Sequence, residues 1–135
     1  MRFVLDANVF VSGLLSRTGA PARLLERWLD GSFELIVSEQ LLDELERTLG
    51  AAKIRKRIAS EDAQQFVGLV RDIADLVPDP AEPPPVRSKD PKDDYLIALA
   101  ASERAQLVSG DAHLLELEGA IPVLSPRAAL DLLLA

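Results

Sequence analysis

The chain has 135 residues, 48% of them hydrophobic and 27% charged, with no cysteine and a net charge of −7. This length supports one domain with a single substantial core. The missing cysteines exclude a disulfide framework or a thiolate metal site, and the acid surplus argues against holding nucleic acid by overall charge alone.

Arg2-Phe3-Val4-Leu5 is a short run of strand formers that stops at Asp6. The run is far too short for a signal-peptide core or a membrane span, so a cytoplasmic, membrane-free protein is expected. Val9 to Leu15 reads as a helical turn or two. A helix follows from Gly19 and Pro21 with Leu24, Leu25, Trp28 and Leu29 on one face, ended by Gly31. Phe33 to Val37 reads as a second strand. Ser38 then caps a helix with Leu41, Leu42, Leu45 and Leu49 inward, ending near Gly50. A basic segment runs from Lys53 to Ile58 and reads as a solvated face, with a phosphate-contacting patch as the alternative. Ser60 opens a helix whose inward positions are Phe66, Val67, Leu69, Val70 and Ile73.

Leu76-Val77 is a brief strand candidate, and the six prolines from Pro78 to Pro91 then forbid regular structure. The remainder is too short for its own core, so this stretch is a crossover loop within one domain spanning residues 1–135. A helix starts near Asp93, with Leu96, Ile97, Ala100 and Ala101 at buried-stripe spacing. Strand Gln106 to Ser109, a short helix through Leu114, Leu115 and Leu117, strand Ile121 to Leu124 and a last helix capped by Ser125 complete the chain.

Strands alternating with helices imply an α/β fold: a three-layer α/β/α sandwich around a parallel sheet of about five strands. Sites in such sheets lie beyond the carboxyl ends of the strands. Asp6 and Asp111 fall at that edge, and the helices carrying Glu44 and Asp93 lean toward it. Each acid also has an ordinary explanation. Asp6, Asp90, Asp93 and Asp111 can cap helices, and Glu44 lies on the shoulder of its helix's buried stripe. Gathered together, however, like charges raise one another's pKa unless a cation offsets them. An all-carboxylate set suits Mg²⁺ or Mn²⁺, one ion or two, rather than zinc. His113, the lone histidine, has no partner at metal-ligand spacing and reads as a surface residue. A carboxylate pocket with divalent ions suits phosphodiester hydrolysis. Asn8 and Ser109 are placed to hydrogen-bond a ligand from behind.

Leu5-Asp6-Ala7-Asn8, Ser38 through Glu44-Leu45, Asp90-Pro91-Lys92-Asp93-Asp94 with Leu96 to Ala100, and Leu107-Val108-Ser109-Gly110-Asp111 together resemble the PIN-domain family. More narrowly they are similar to its VapC-like branch of bacterial toxin–antitoxin toxins. The resemblance covers essentially the whole chain. It implies a helix-flanked parallel sheet, a Mg²⁺/Mn²⁺-dependent ribonuclease acting on RNA, a cognate antitoxin and a homodimer. Residue by residue, the family's acids fall on Asp6, Glu44, Asp93 and Asp111. Asp94 is the nearest rival for the third place, and Asp90 is more naturally a cap or a supporting group.

Two other readings bear on these residues. A haloacid-dehalogenase-type phosphatase also begins with a strand ending in aspartate, but it needs a second acid where this chain has Asn8 and another where it has Leu115. A catalytically silent PIN-like module that only binds RNA or protein is the remaining alternative, and the presence of all four acids gives it no support.

Overall fold

Apolar runs become strands here, and four of them stop at a short side chain bearing oxygen. In the computed structural model, which describes residues 1–135, β1 is Arg2–Leu5, β2 Glu34–Val37, β3 Asp75–Leu76, β4 Gln106–Val108 and β5 Val123–Leu124. The residues after β1, β2, β4 and β5 are Asp6, Ser38, Ser109 and Ser125. Three of these cap the next helix: Asp6 accepts from Asn8 N–H, Ser38 from Leu41 N–H and Ser125 from Ala128 N–H. Ser109 caps nothing and is used differently.

The helices are α1 Ala7–Leu15, α2 Ala20–Leu29, α3 Glu39–Leu49, α4 Ala52–Arg55, α5 Ser60–Ile73, α6 Asp94–Ser102, α7 Ala112–Leu115 and α8 Pro126–Leu134. A 3₁₀ turn, Pro91–Asp93, leads into α6. All five strands pair in parallel in the order β3-β2-β1-β4-β5. The chain therefore winds outward from β1 to β3, then crosses back to place β4 on the other side of β1. α1 packs on α2 and α3, and α3 on α5, while α6 lies against β1 and β4; the right-handed crossover rule for parallel strands assigns α1 to α5 to one face and α6 and α7 to the other. The change of direction leaves a crevice at the β1–β4 boundary, on the carboxyl edge.

One cluster of 35 buried residues fills the interior. Phe3, Val4, Leu5, Leu35, Ile36 and Val37 are buried on both faces of the sheet, as a parallel sheet requires. α1 and α2 approach so closely that a Cβ on Gly13 would lie 2.6 Å from Leu25 Cδ1 and 3.1 Å from the Pro21 carbonyl oxygen.

The apolar arcs read from spacing are real, but the contacts cover only part of each. α5 buries Ala63, Val67 and Val70, whereas Leu69 and Ile73 are 38% and 55% exposed. Leu29, Ala101, Leu132 and Leu134 are also exposed, each near a helix end where the neighbour has run out. Ser60 is the first residue of α5 rather than its cap; Ala59 holds that place without a side-chain bond. The basic segment is helical only to Arg55, and β3 lies one residue earlier than the sequence suggested. Residues 77–90 form no helix or strand. No helix is long and apolar enough to cross a membrane.

Candidate active site

Strand register brings the first two site residues together. Leu5 pairs with Val108, so the next residues, Asp6 and Ser109, are neighbours across the β1–β4 boundary. Asp6 N–H continues the ladder to the Val108 carbonyl at 2.9 Å. Ser109, wholly buried, donates its hydroxyl to Asp6 Oδ2 at 2.9 Å and accepts from Asp111 N–H at 3.0 Å. The other Asp6 oxygen accepts from the Asn8 backbone N–H at 3.4 Å, so Asn8 supports Asp6 through its main chain. Asp111 caps α7 by accepting from His113 N–H at 2.8 Å, and His113 itself is exposed.

The crossover loop and α3 supply the rest. Asp6, Asn8, Glu44, Asp90, Asp93, Tyr95 and Asp111 line one cavity of about 570 Å³, together with Gln40, Asp43, Arg47 and Lys92. Asp93 stands at the start of α6 yet makes no capping bond, and its Oδ2 is buried without any partner. The capping explanation therefore fails for Asp93. It holds for Asp90, which accepts from Lys92 N–H at 3.1 Å. Asp94 is directed to the loop instead: it accepts from Ser88 N–H at 2.9 Å and from Arg87 at 3.2 Å, and it does not line the cavity. Glu44 is held by the exposed Arg47, 2.6 Å away. The basic residues of α4 lie outside this cavity.

Sequence reasoning did not single out Arg47, Lys92 or Tyr95. The signal for Tyr95 was available: it is the only tyrosine in the chain, two residues after Asp93, at the head of an otherwise aliphatic helix.

The electrostatics follow from burial and crowding. Burial raises the Asp6 pKa; the Ser109 and Asn8 bonds oppose this, and the charges of Asp111 and Glu44 add to it. Asp93 is pushed up to about 7, first by burial, then by the charges of Asp6 and Asp111, and by a hydrogen bond with Asp111. The donor set suits a hard divalent cation by its chemistry, since all the donors are oxygens and one is buried and unbonded. As the side chains stand, no three acids are arranged around a single ion. Glu44, for one, is engaged by Arg47.

Ser109→Ala removes the donor to a buried carboxylate and the acceptor for Asp111. Hydrogen bonds to charged groups carry about 1.5–3 kcal/mol. Urea unfolding in a mildly alkaline buffer should register a loss of that size. A loss below about 0.5 kcal/mol would mean that the Asp6–Ser109 bond contributes little.

The geometry agrees with the comparisons. Over 93% of this chain and 98% of the other, the fold is similar, at 14% identity and a TM-score of 0.63, to a chain in the crystal structure of VapBC2 from Rickettsia felis bound to a DNA fragment from their promoter. It is similar over 94% and 99%, again at 14% identity and with a TM-score of 0.62, to a chain in the structure of VapBC-1 from nontypeable Haemophilus influenzae. No curated protein matches the sequence. The PIN domain family model matches residues 2–113, which include β1, α3, the turn before α6 and β4 with Asp111. The chain belongs to the PIN domain family.

Proposed function

We propose that this chain is a Mg²⁺- or Mn²⁺-dependent endoribonuclease and the toxin of a toxin–antitoxin pair. The observation that carries the reading is Asp93. It keeps a buried carboxylate oxygen unbonded beside two further acids, in a cavity at the β1–β4 crevice. Nothing in the fold needs that oxygen, and burying it there is costly. A divalent ion held by Asp6, Glu44, Asp93 and Asp111 would offset the cost.

Once bound, such ions lower the pKa of an attacking water and offset charge on the phosphodiester. The chain's own residues do the positioning. Ser109 and the Asn8 N–H fix the two oxygens of Asp6, so its carboxylate cannot rotate freely. Asp90 sets the turn that presents Asp93, and Asp94 ties the same turn to the crossover loop. Arg47 and Lys92 are the two cations lining an otherwise acidic cavity, and they can meet the RNA backbone. The two VapBC structures support an antitoxin as partner. A homodimer, also implied by the family resemblance, would have apolar side chains to cover at Leu132 and Leu134 on α8.

The first test is Mn²⁺ titration of the purified protein, following melting temperature beside Asp6→Asn. Binding to the folded state alone adds about 2.7 kcal/mol at a hundredfold excess over Kd. The wild type should rise and the variant should not, and RNA cleavage should follow the same pattern. A flat response in both would remove the nuclease reading and favour the non-catalytic binding module.

A further inference from the structure

Tyr95 sits in the first turn of α6, and its hydroxyl oxygen is buried with no hydrogen-bond partner. It lines the same cavity as Asp6, Glu44 and Asp93. A tyrosine hydroxyl keeps its proton at neutral pH, so it is a donor there. A buried O–H surrounded by acceptors yet bonded to none is a donor whose acceptor is elsewhere.

The acids proposed as ligands are not equally free to take it. Asp6 already has a partner on each oxygen, Ser109 and Asn8. Asp111 accepts from His113 N–H as the cap of α7. Asp93 has a free oxygen, but it lies two residues before Tyr95, and side chains at that spacing on a helical turn do not face each other. Glu44 remains. Its carboxylate is held by Arg47, an exposed side chain whose pairing is screened by solvent, and three rotatable bonds let it move. We propose that Tyr95 is a positioning residue for Glu44: its hydroxyl donates to the Glu44 carboxylate when that carboxylate leaves Arg47 and turns into the cavity to take up a divalent ion. This rests on the metal-dependent reading above. It also gives Arg47 a second state, free of Glu44 and available to a phosphate.

The test uses the full chain and Mn²⁺, with the free ion followed by its electron paramagnetic resonance signal. Tyr95→Phe should weaken Mn²⁺ binding about tenfold, the size expected for one hydrogen bond to a charged group. The metal-free melting temperature should hold or rise, because the variant no longer buries an unbonded hydroxyl. A purely structural tyrosine would give the reverse pattern. In a Glu44→Ala background the same change should cost nothing further. A second measurement needs no variant. Tyrosine labelled with ¹³C at Cζ gives a single signal here, and saturating Mg²⁺ should shift it. Equal Mn²⁺ affinity in wild type and Tyr95→Phe, full additivity with Glu44→Ala, or an unmoved Cζ signal would each overturn the role of Tyr95 while leaving the metal site standing. A wild type that binds no Mn²⁺ would overturn the nuclease reading, and the Tyr95 proposal with it.

Discussion

Asp93→Asn should lower RNA cleavage on the order of a thousandfold while making the metal-free protein more stable than wild type in alkaline buffer. The two effects have one cause. In the folded protein the Asp93 carboxyl is pushed up to about 7 from an ordinary 3.8, by burial and by the charges of Asp6 and Asp111. Between those values the folded state holds a proton that the unfolded state has released. Stability from this group is therefore fully present below the unfolded value and is lost as pH rises through about 7. Asparagine cannot ionise, so the variant escapes that loss. Wild type should melt lower at about pH 8 than at about pH 5.5, and the variant's curve should be flatter. Mn²⁺ competes with the same proton, so its stabilising effect on wild type should grow over that interval. Parallel pH curves for the two proteins would remove Asp93 from the cluster. Asp94→Asn serves as the contrast. Its carboxylate holds Ser88 and Arg87, so cleavage should fall by less than about tenfold, through a looser loop rather than a lost ligand.

That contrast marks where reading the sequence reached its limit. Asp6 was legible because a strand of four residues has little room for ambiguity, and the next residue must leave the sheet at its carboxyl edge. Asp111 was legible for the same reason after β4. Asp93 and Asp94 share a helix start, and only the path of the crossover loop separates them: Ser88 comes back to meet Asp94, which frees Asp93 for the cavity. The prolines announced the loop but not where it would lie. The helices had a similar limit. Periodicity located the apolar arc of α5 but not the half of it that α3 would cover, so Leu69 and Ile73 were placed inward and are exposed. Sheet order, which brings β4 beside β1 and thereby Ser109 beside Asp6, is a long-range fact with no local signal. The family resemblance covered that gap, because it implied the same four acids as one site.

Phe10→Ala should cost about 3–5 kcal/mol of stability, yet leave Mn²⁺ affinity within a few-fold of wild type. Phe10 is fully buried in α1, and its ring meets Phe66 of α5 edge-on at 6.1 Å. Phe66 is only half-buried, and this pair links α5 to α1 while the rest of α5 packs on α3. Domains of this size have roughly 5–15 kcal/mol in total, so the loss is a large share of the whole. Ile73→Ala on the same helix, 55% exposed, should change stability by less than about 0.5 kcal/mol. Urea unfolding midpoints at unchanged slope would read both. The site should be spared because Asp6 is fixed from the sheet side by its N–H on the Val108 carbonyl and by Ser109, and its one bond from α1 is a backbone one, from Asn8 N–H, that the substitution leaves in place. A stability cost below about 1 kcal/mol would mean the core closes around the lost ring. A parallel collapse of Mn²⁺ affinity at temperatures where the variant is folded would mean that α1, and not the β1–β4 ladder, holds the first acid in place.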